Sequence, residues 1–452
     1  MSVLMLPFYT AWLSVEQYGD VDLVSTYVSL IMGLVTLCMT DAIFRFPQGC
    51  KFSEQRNFFT SGISLVSISI LVFGFIYFLV LYLWGNNSWG IIYTYSGYIY
   101  FILIFSFIQL YFQQFSRSID RMGVYVTSGI VLTSLTVVVS LFLVPKYGAN
   151  GFLLSQIVGF IGASFYTFFK IRIYHYLSIS HVSLPVIKEM LAYSIPMIPN
   201  ATLWWLLGTS NRLFLEYFQG VEQVGIFAVS NRFPSIITMV FNTFFLSWQI
   251  SVLEEFKKTD FKRFYNNIFR VCFVLLITVS ILLSISSFWL IKVFASEKFI
   301  ESWRYIPFLG VASVFSSLST FAGTMFMAFK KTRYYLTTSL WGALFCVLLN
   351  LILIRWIGIM GATLSLLISH LLILILRIVK SDRYVLLDSK ISYLVQIIIT
   401  VIIAGIVISG VNKIYSLSLI LISIITLSFL NWKYVLLAKK TIIQFIKHKD
   451  VS

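Results

Sequence analysis

The chain has 452 residues, of which 59% are hydrophobic and only 11% charged, and its mean hydropathy is +0.91. A surface this poor in charge excludes a soluble globular protein. The net charge of +16 reads as a topological bias and not as a nucleic-acid-binding surface, because Lys and Arg are sorted among alternate loops.

In chain order, apolar stretches long enough to cross a bilayer fall at 21–44, 60–84, 90–112, 122–144, 149–170, 190–210, 223–248, 268–295, 303–328, 334–354, 357–379, 391–411 and 414–436, after a truncated first one at 1–12. They are continuously apolar and do not alternate. An all-α integral membrane protein with about fourteen transmembrane helices is therefore expected in place of a barrel. The first stretch is short for a crossing, so either it is tilted and capped in the interface or upstream residues are missing. No cleavable signal is expected, since there is neither a charged start nor a small-residue cleavage site.

Asp20 and Asp22 open the next stretch as a DxD. That spacing can hold a divalent metal and a nucleotide sugar, but at the outer start of a helix capping is the expected role. Arg45 follows Asp41 by four residues, a spacing that lets the two pair; the ion pair and a ligand contact both stay open. Positive charge concentrates around Arg45 to Arg56, Arg117 and Arg121, Lys170 to Lys188, Lys257 to Arg270, Lys330 to Arg333, Arg377 to Lys390 and the C-terminal residues. These segments and both termini are assigned to the cytoplasm, where they face anionic lipid.

The apolar text breaks at 171–189, expected as a cytoplasmic linker, and 182–193 mixes apolar and charged positions as an interfacial segment would. Pro196 and Pro199 open the next span, releasing carbonyls and permitting a bend. Asn200, Trp204 and Trp205 come directly after, so a hinge bearing polar and aromatic groups is expected. The span ends in Asn211 and Arg212, where snorkelling and cavity lining explain the arginine equally well. Arg232 lies about a third of the way into its span, with Asn231 before it and Pro234 after. A charge near a helix centre costs on the order of 2.5 to 3.5 kcal/mol. Arg232 is thus expected to face a polar cavity, or else to pair with a neighbouring carbonyl or carboxylate.

The chain also echoes itself. Val15, Glu16, Gln17 and Gly19 recur as Val221, Glu222, Gln223 and Gly225, while Gly148, Gly151, Ser155 and Lys170 recur as Gly358, Gly361, Ser365 and Lys380. The expected organisation is a six-helix lobe at 1–170, a linker at 171–189, a second six-helix lobe at 190–380 related as a parallel repeat, two further transmembrane helices at 391–436, and a basic cytoplasmic tail at 437–452. Two such lobes facing each other would enclose a central cavity. Cys38, Cys50, Cys272 and Cys346 are dispersed, the histidines lack metal-ligand spacing, and no phosphate-binding GxxxxGK[ST] occurs. No catalytic residue, metal or cofactor is expected.

LPFYTAWLSVEQYGDVDLVSTYV near the start, SIPMIPNATLWWLLGTSNRLFLEYFQGVEQVGIFAVSNRFPSI at 194–237, FFLSWQISVLEE at 244–255 and RYIPFLG at 304–310 together resemble the polysaccharide exporters of the multidrug, oligosaccharidyl-lipid and polysaccharide flippase superfamily. The similarity is to the bacterial O-antigen and capsule repeat-unit flippases and covers about residues 1 to 385. It implies a carrier that turns an undecaprenyl-diphosphate-linked oligosaccharide to the outer leaflet of the cytoplasmic membrane, with membrane lipid, a polysaccharide polymerase and glycosyltransferases as partners. Arg232, Arg212, Arg45, Asn200, Asn211 and Asn231 are the substrate-binding candidates, and Pro196, Pro199 and Pro234 the hinge candidates. A cationic cavity suits a diphosphate. One departure stands out: relatives often carry an acidic residue before the arginine matched by Arg212, whereas Asn211 stands here, which speaks against ion coupling at that position.

A drug or cation antiporter of the same superfamily is the nearest alternative, but it should place carboxylates deep in its spans. A membrane polymerase or ligase acting on the same lipid would need a long outer loop bearing catalytic groups. A lipid-II-type flippase would use the same physics.

Overall fold

The computed structural model describes residues 3–84, 90–381 and 390–409. Among them the chain is all helical: α1 Leu6–Trp12, α2 Val15–Val35, α3 Met39–Arg45, α4 Phe52–Trp84, α5 Gly90–Thr94, α6 Ser96–Ser118, α7 Met122–Lys170, α8 Leu184–Ser194, α9 Met197–Gly208, α10 Asn211–Gln219, α11 Val221–Ser230, α12 Arg232–Glu255, α13 Phe261–Phe294, α14 Ile306–Ala328, α15 Thr332–Leu349, α16 Arg355–Ser381 and α17 Lys390–Ser409. Nine uninterrupted helical stretches among the described residues are long and apolar enough to cross a membrane. The expected span at 414–436 and the tail at 437–452 lie outside the described residues.

Two of those stretches, 122–170 and 333–381, run to 49 residues, yet neither is a single rod. In a straight helix Ser128 and Thr167 would stand roughly 58 Å apart at 1.5 Å per residue. Instead Thr167 Oγ1 donates to Ser128 Oγ at 3.1 Å, so the chain folds back on itself. It reverses at Gly148 (φ 54°, ψ −129°), and the second stretch reverses at Gly358 (φ 56°, ψ −133°). A side chain resists this backbone region, which glycine enters freely. Three residues on, the arms touch: a Cβ on Gly151 would lie 2.3 Å from the Leu143 carbonyl oxygen, and one on Gly361 would lie 2.4 Å from that of Leu353. Each 49-residue stretch is therefore an antiparallel pair of crossings. A π-helical turn at Asn350–Ile354 joins α15 to α16.

The internal repeat is visible in the element boundaries. Moving by 210 takes both ends of α6 onto α14 (96 to 306, 118 to 328) and the start of α7 onto that of α15. Even the turn between the elements is copied. Asp120 and Lys330 both take positive φ (59° and 54°). Arg121 N donates to Ser116 O at 2.8 Å, and Lys331 N to Phe326 O at 2.7 Å. This six-residue bond is the one that closes a helix with a left-handed cap.

The described residues form two compact units, Phe8–Leu213 and the remainder. In the first, Phe59, Tyr111, Phe115, Ile173 and Met190 form a buried aromatic and aliphatic core joining α3, α4, α6 and α8. In the second, α14 is buried along most of its length, and Phe321 stacks on Trp248 at 4.4 Å between ring centres. The compact unit that begins at Phe8 ends at Leu213. Residues 190–213 belong to that unit, where α9 lies along α2.

Candidate functional site

The start of α2 is set by a capping box: Gln17 N donates to Ser14 Oγ at 3.1 Å and Ser14 N to Gln17 Oε1 at 3.3 Å. With Ser14 in that role, neither aspartate of the DxD is needed as a cap. Asp20 Oδ2 accepts from Tyr95 Oη at 3.0 Å. Asp22 Oδ2 accepts from Arg212 Nε at 2.5 Å, with both side chains about nine-tenths buried (10% and 12% exposed). The capping role expected for these aspartates is thus replaced by interhelical bonds that sequence spacing could not reveal.

The Asp22–Arg212 pair heads a seam between α2 and the chain running through α9. Further along, Trp205 Nε1 donates to Ser29 Oγ at 3.0 Å, and a Cβ on Gly33 would sit 3.9 Å from that of Ala201. Successive contacts, 22 with 212, 29 with 205 and 33 with 201, identify the two segments as antiparallel. Arg212 Nη1 also reaches Gly208 O at 3.3 Å and Asn211 Oδ1 at 3.5 Å. Asn211 is only 1% exposed, and its Nδ2 donates to no atom among the described residues.

Arg45 belongs to the other end of this unit. Its guanidinium lies 4.8 Å from the ring centre of Tyr193 on α8, a cation–π contact that takes the place of the expected pairing with Asp41. The rise of α2 from Asp22 to Val35 alone is roughly 20 Å. Arg45 and Arg212 therefore do not converge on one headgroup in this conformation.

The prolines act one turn upstream of themselves. Pro199 has no N–H for the Ile195 carbonyl, which is taken by Ile198 N at 3.1 Å, and the helix is divided between Ser194 and Met197. Asn200 is exposed on the first turn of α9. Pro234 likewise leaves Ser230 O without its helical donor, and the break falls at Asn231, between α11 and α12. Arg232 is thus the first residue of a helix and not an interior one, roughly 16 Å along the chain from Val221 by helical rise, and it is half-buried. Ser230 Oγ donates to Ser302 O at 3.0 Å and Ser302 Oγ to Ile226 O at 3.1 Å, which fixes the end of α11.

Directly after Arg232, an apolar cavity of about 560 Å³ opens between α12 and α13, lined by Phe233, Ile236, Val240 and Phe241 against Cys272 and Leu275, among other apolar side chains. Arg232 itself is not one of the lining residues; it precedes the first of them, Phe233, in the chain. Among the described residues no three His, Cys, Asp or Glu side chains converge to hold a metal.

One arginine was misplaced by hydropathy. Arg377, read as part of a cytoplasmic charge cluster, is 0% exposed inside α16. It donates to Thr338 Oγ1 (3.2 Å), Ser319 O (2.7 Å) and Ser339 Oγ (2.9 Å), and lies 4.1 Å from the Tyr335 ring centre. The 210-residue echo held the signal, since it sets Arg377 at the place of Thr167, which lies near the end of α7 but is buried.

The polysaccharide biosynthesis protein family matches residues 1–248, more than half of the chain. No curated protein sequence matches. Among solved structures, the lipid II flippase MurJ in an inward closed conformation is similar with a TM-score of 0.70 and 16% identity, covering 96% of this chain and 97% of that one. An inward-facing multidrug resistance MATE family transporter of the MOP superfamily gives 0.66 and 14%, covering 85% and 94%. The MATE multidrug transporter DinF-BH gives 0.55 and 18%, covering 85% and 91%. These likenesses show a shared fold. With that architecture and the family match over its first half, this multi-span membrane protein belongs to the polysaccharide biosynthesis protein family.

Proposed function

We infer that the protein is a flippase that moves undecaprenyl-diphosphate-linked oligosaccharide repeat units from the cytoplasmic to the outer leaflet of the bacterial cytoplasmic membrane, by alternating access, for surface polysaccharide biosynthesis. The observation that supports this reading is the sequence position of Arg232, immediately before Phe233, the first of the residues that line an apolar cavity between α12 and α13. A prenyl diphosphate has that division: a doubly charged head that a guanidinium binds through several donors, and a tail that apolar walls accept as lipid chains do. Family membership and the fold shared with MurJ agree with it. Both termini are assigned to the cytoplasm, and the chain is read as a carrier, not an enzyme, supplied by glycosyltransferases and feeding a polymerase.

A drug or cation antiporter needs an available carboxylate within its spans. Here Asp22, the best-buried one among the described residues, is engaged by Arg212. The function is tested in a host lacking its own repeat-unit flippase. Arg232→Ala abolishes surface polysaccharide with membrane insertion intact, whereas Arg232→Lys retains a reduced amount. Wild-type polymer from Arg232→Ala would reject the assignment.

A further inference from the structure

Two acids two positions apart on a helix point in nearly opposite directions, and in α2 they do different work. Asp20 is bound to a neutral phenol, Tyr95. Asp22 is bound to a guanidinium at 2.5 Å in a setting that excludes most solvent. Beside that pair, the buried Asn211 amide presents Oδ1 to Arg212 Nη1 while its Nδ2 donates to no described atom. An amide donor left over next to a guanidinium marks a place where a further acceptor oxygen is provided for. Asp22 alone does not provide it.

The geometry points to an anion-exchange latch at the head of the α2–α9 seam: Asp22 is a tethered stand-in for phosphate, and an anionic diphosphate headgroup enters by displacing its carboxylate from Arg212 and taking the spare donor of Asn211. This rests on the reading of the substrate as a lipid-linked diphosphate, and adds to it a rule of selection. A headgroup with a single charge offers Arg212 no more than Asp22 already does. A diphosphate brings at least one further charge and more acceptor oxygens, enough for charge-assisted bonds to both Arg212 and Asn211. Asp22 thus sets the minimum charge that the site accepts. Displacement also removes the ionic contact of the seam, leaving the Trp205–Ser29 bond and the close approach of Gly33 to Ala201. Headgroup capture and loosening of α9 from α2 become a single event.

The test uses the full-length protein in lipid nanodiscs, with inorganic pyrophosphate and orthophosphate as probes, followed by titration calorimetry. Wild-type protein is expected to bind pyrophosphate in preference to orthophosphate. Asp22→Asn binds pyrophosphate about tenfold more tightly, within the usual range of coupling between sites, and discriminates less between the probes. Arg212→Gln added to Asp22→Asn removes the gain. Asp20→Asn, two residues away, changes nothing; an equal gain there would reduce the effect to general electrostatics and overturn the latch. Unchanged or weaker affinity in Asp22→Asn, with Arg212-dependent binding by wild-type protein, overturns the latch and spares the diphosphate reading. Binding by neither protein overturns both. Should Asp22→Asn fail to fold, Gly33→Cys with Ala201→Cys, in a background without the native cysteines, supplies a second measurement. The 3.9 Å separation suits a disulfide. Pyrophosphate slows its formation and orthophosphate does not; equal rates with both probes overturn the latch.

Discussion

The segment 96–170 and its copy at 306–381 share a skeleton and differ in what fills it. Helix boundaries, left-handed caps and glycine reversals coincide at an offset of 210, but the space between the arms is occupied from opposite sides. In the first, Thr167 bonds Ser128, Gln113 Nε2 donates to Tyr125 O at 3.0 Å, and Gly129 leaves room for it: a Cβ there would sit 3.5 Å from Gln113 Nε2. In the second, the residue at the place of Gln113 is Gly323, and Arg377 at the place of Thr167 reaches across. A Cβ on Gly323 would lie 3.0 Å from Arg377 Nη1. Ser339, at the place of Gly129, becomes a partner. One volume is thus filled by an amide from the first helix or by a guanidinium from the last. Backbone geometry is held by the turns, leaving the side chains free to exchange the source of the polar group.

The comparison breaks most severely at its glycine turns. Gly151→Leu and Gly361→Leu each drive a side chain into a backbone carbonyl 2.3 to 2.4 Å away. A loss of about 3 kcal/mol or more is expected from overpacking and backbone strain, read as loss of the monodisperse peak in size-exclusion chromatography. If Leu is tolerated at one turn and not the other, the turns are not equivalent. Next in size is Arg377→Ala, which empties a volume and leaves Thr338, Ser339 and the Ser319 carbonyl without their donor. It should cost about 3 kcal/mol, against about 1 kcal/mol for Thr167→Ala, both followed by thermal unfolding. The exchange itself is tested by Gly323→Gln with Arg377→Thr: the pair should be more stable than the singles predict, by at least about 1 kcal/mol of coupling, with the Tyr335 ring shifting to admit the amide. Additive effects would mean that the two fillings are unrelated. Smallest is Ser14→Ala, which removes the cap of α2 and is expected to cost about 1 kcal/mol in the same assay.

Much of this architecture is legible in the sequence. Gly148 and Gly151, with their copies Gly358 and Gly361, announce the reversals because only glycine meets both demands there, an unusual φ and a near contact. Pro199 and Pro234 announce the breaks at Ile195 and Asn231, because a missing N–H acts four residues upstream whatever the tertiary context. The candidate site was harder to read. Asp22 and Arg212 stand 190 residues apart, and nothing in local spacing tells a capping carboxylate from one that crosses to another helix. Arg45 has an acid at the favoured spacing, yet the Tyr193 ring competes and wins its guanidinium. Arg377 lies three residues before Lys380 in a charged run, so hydropathy assigned it to a loop although its stem points inward.

A turn made by a single glycine leaves no slack. Inserting one residue into either arm of a hairpin would rotate every side chain beyond it by about 100° and advance it by 1.5 Å, so Thr167 would miss Ser128, or Arg377 its three acceptors. Connections of this kind tie paired crossings together like the two legs of a staple. A movement that keeps these bonds carries each pair as one piece.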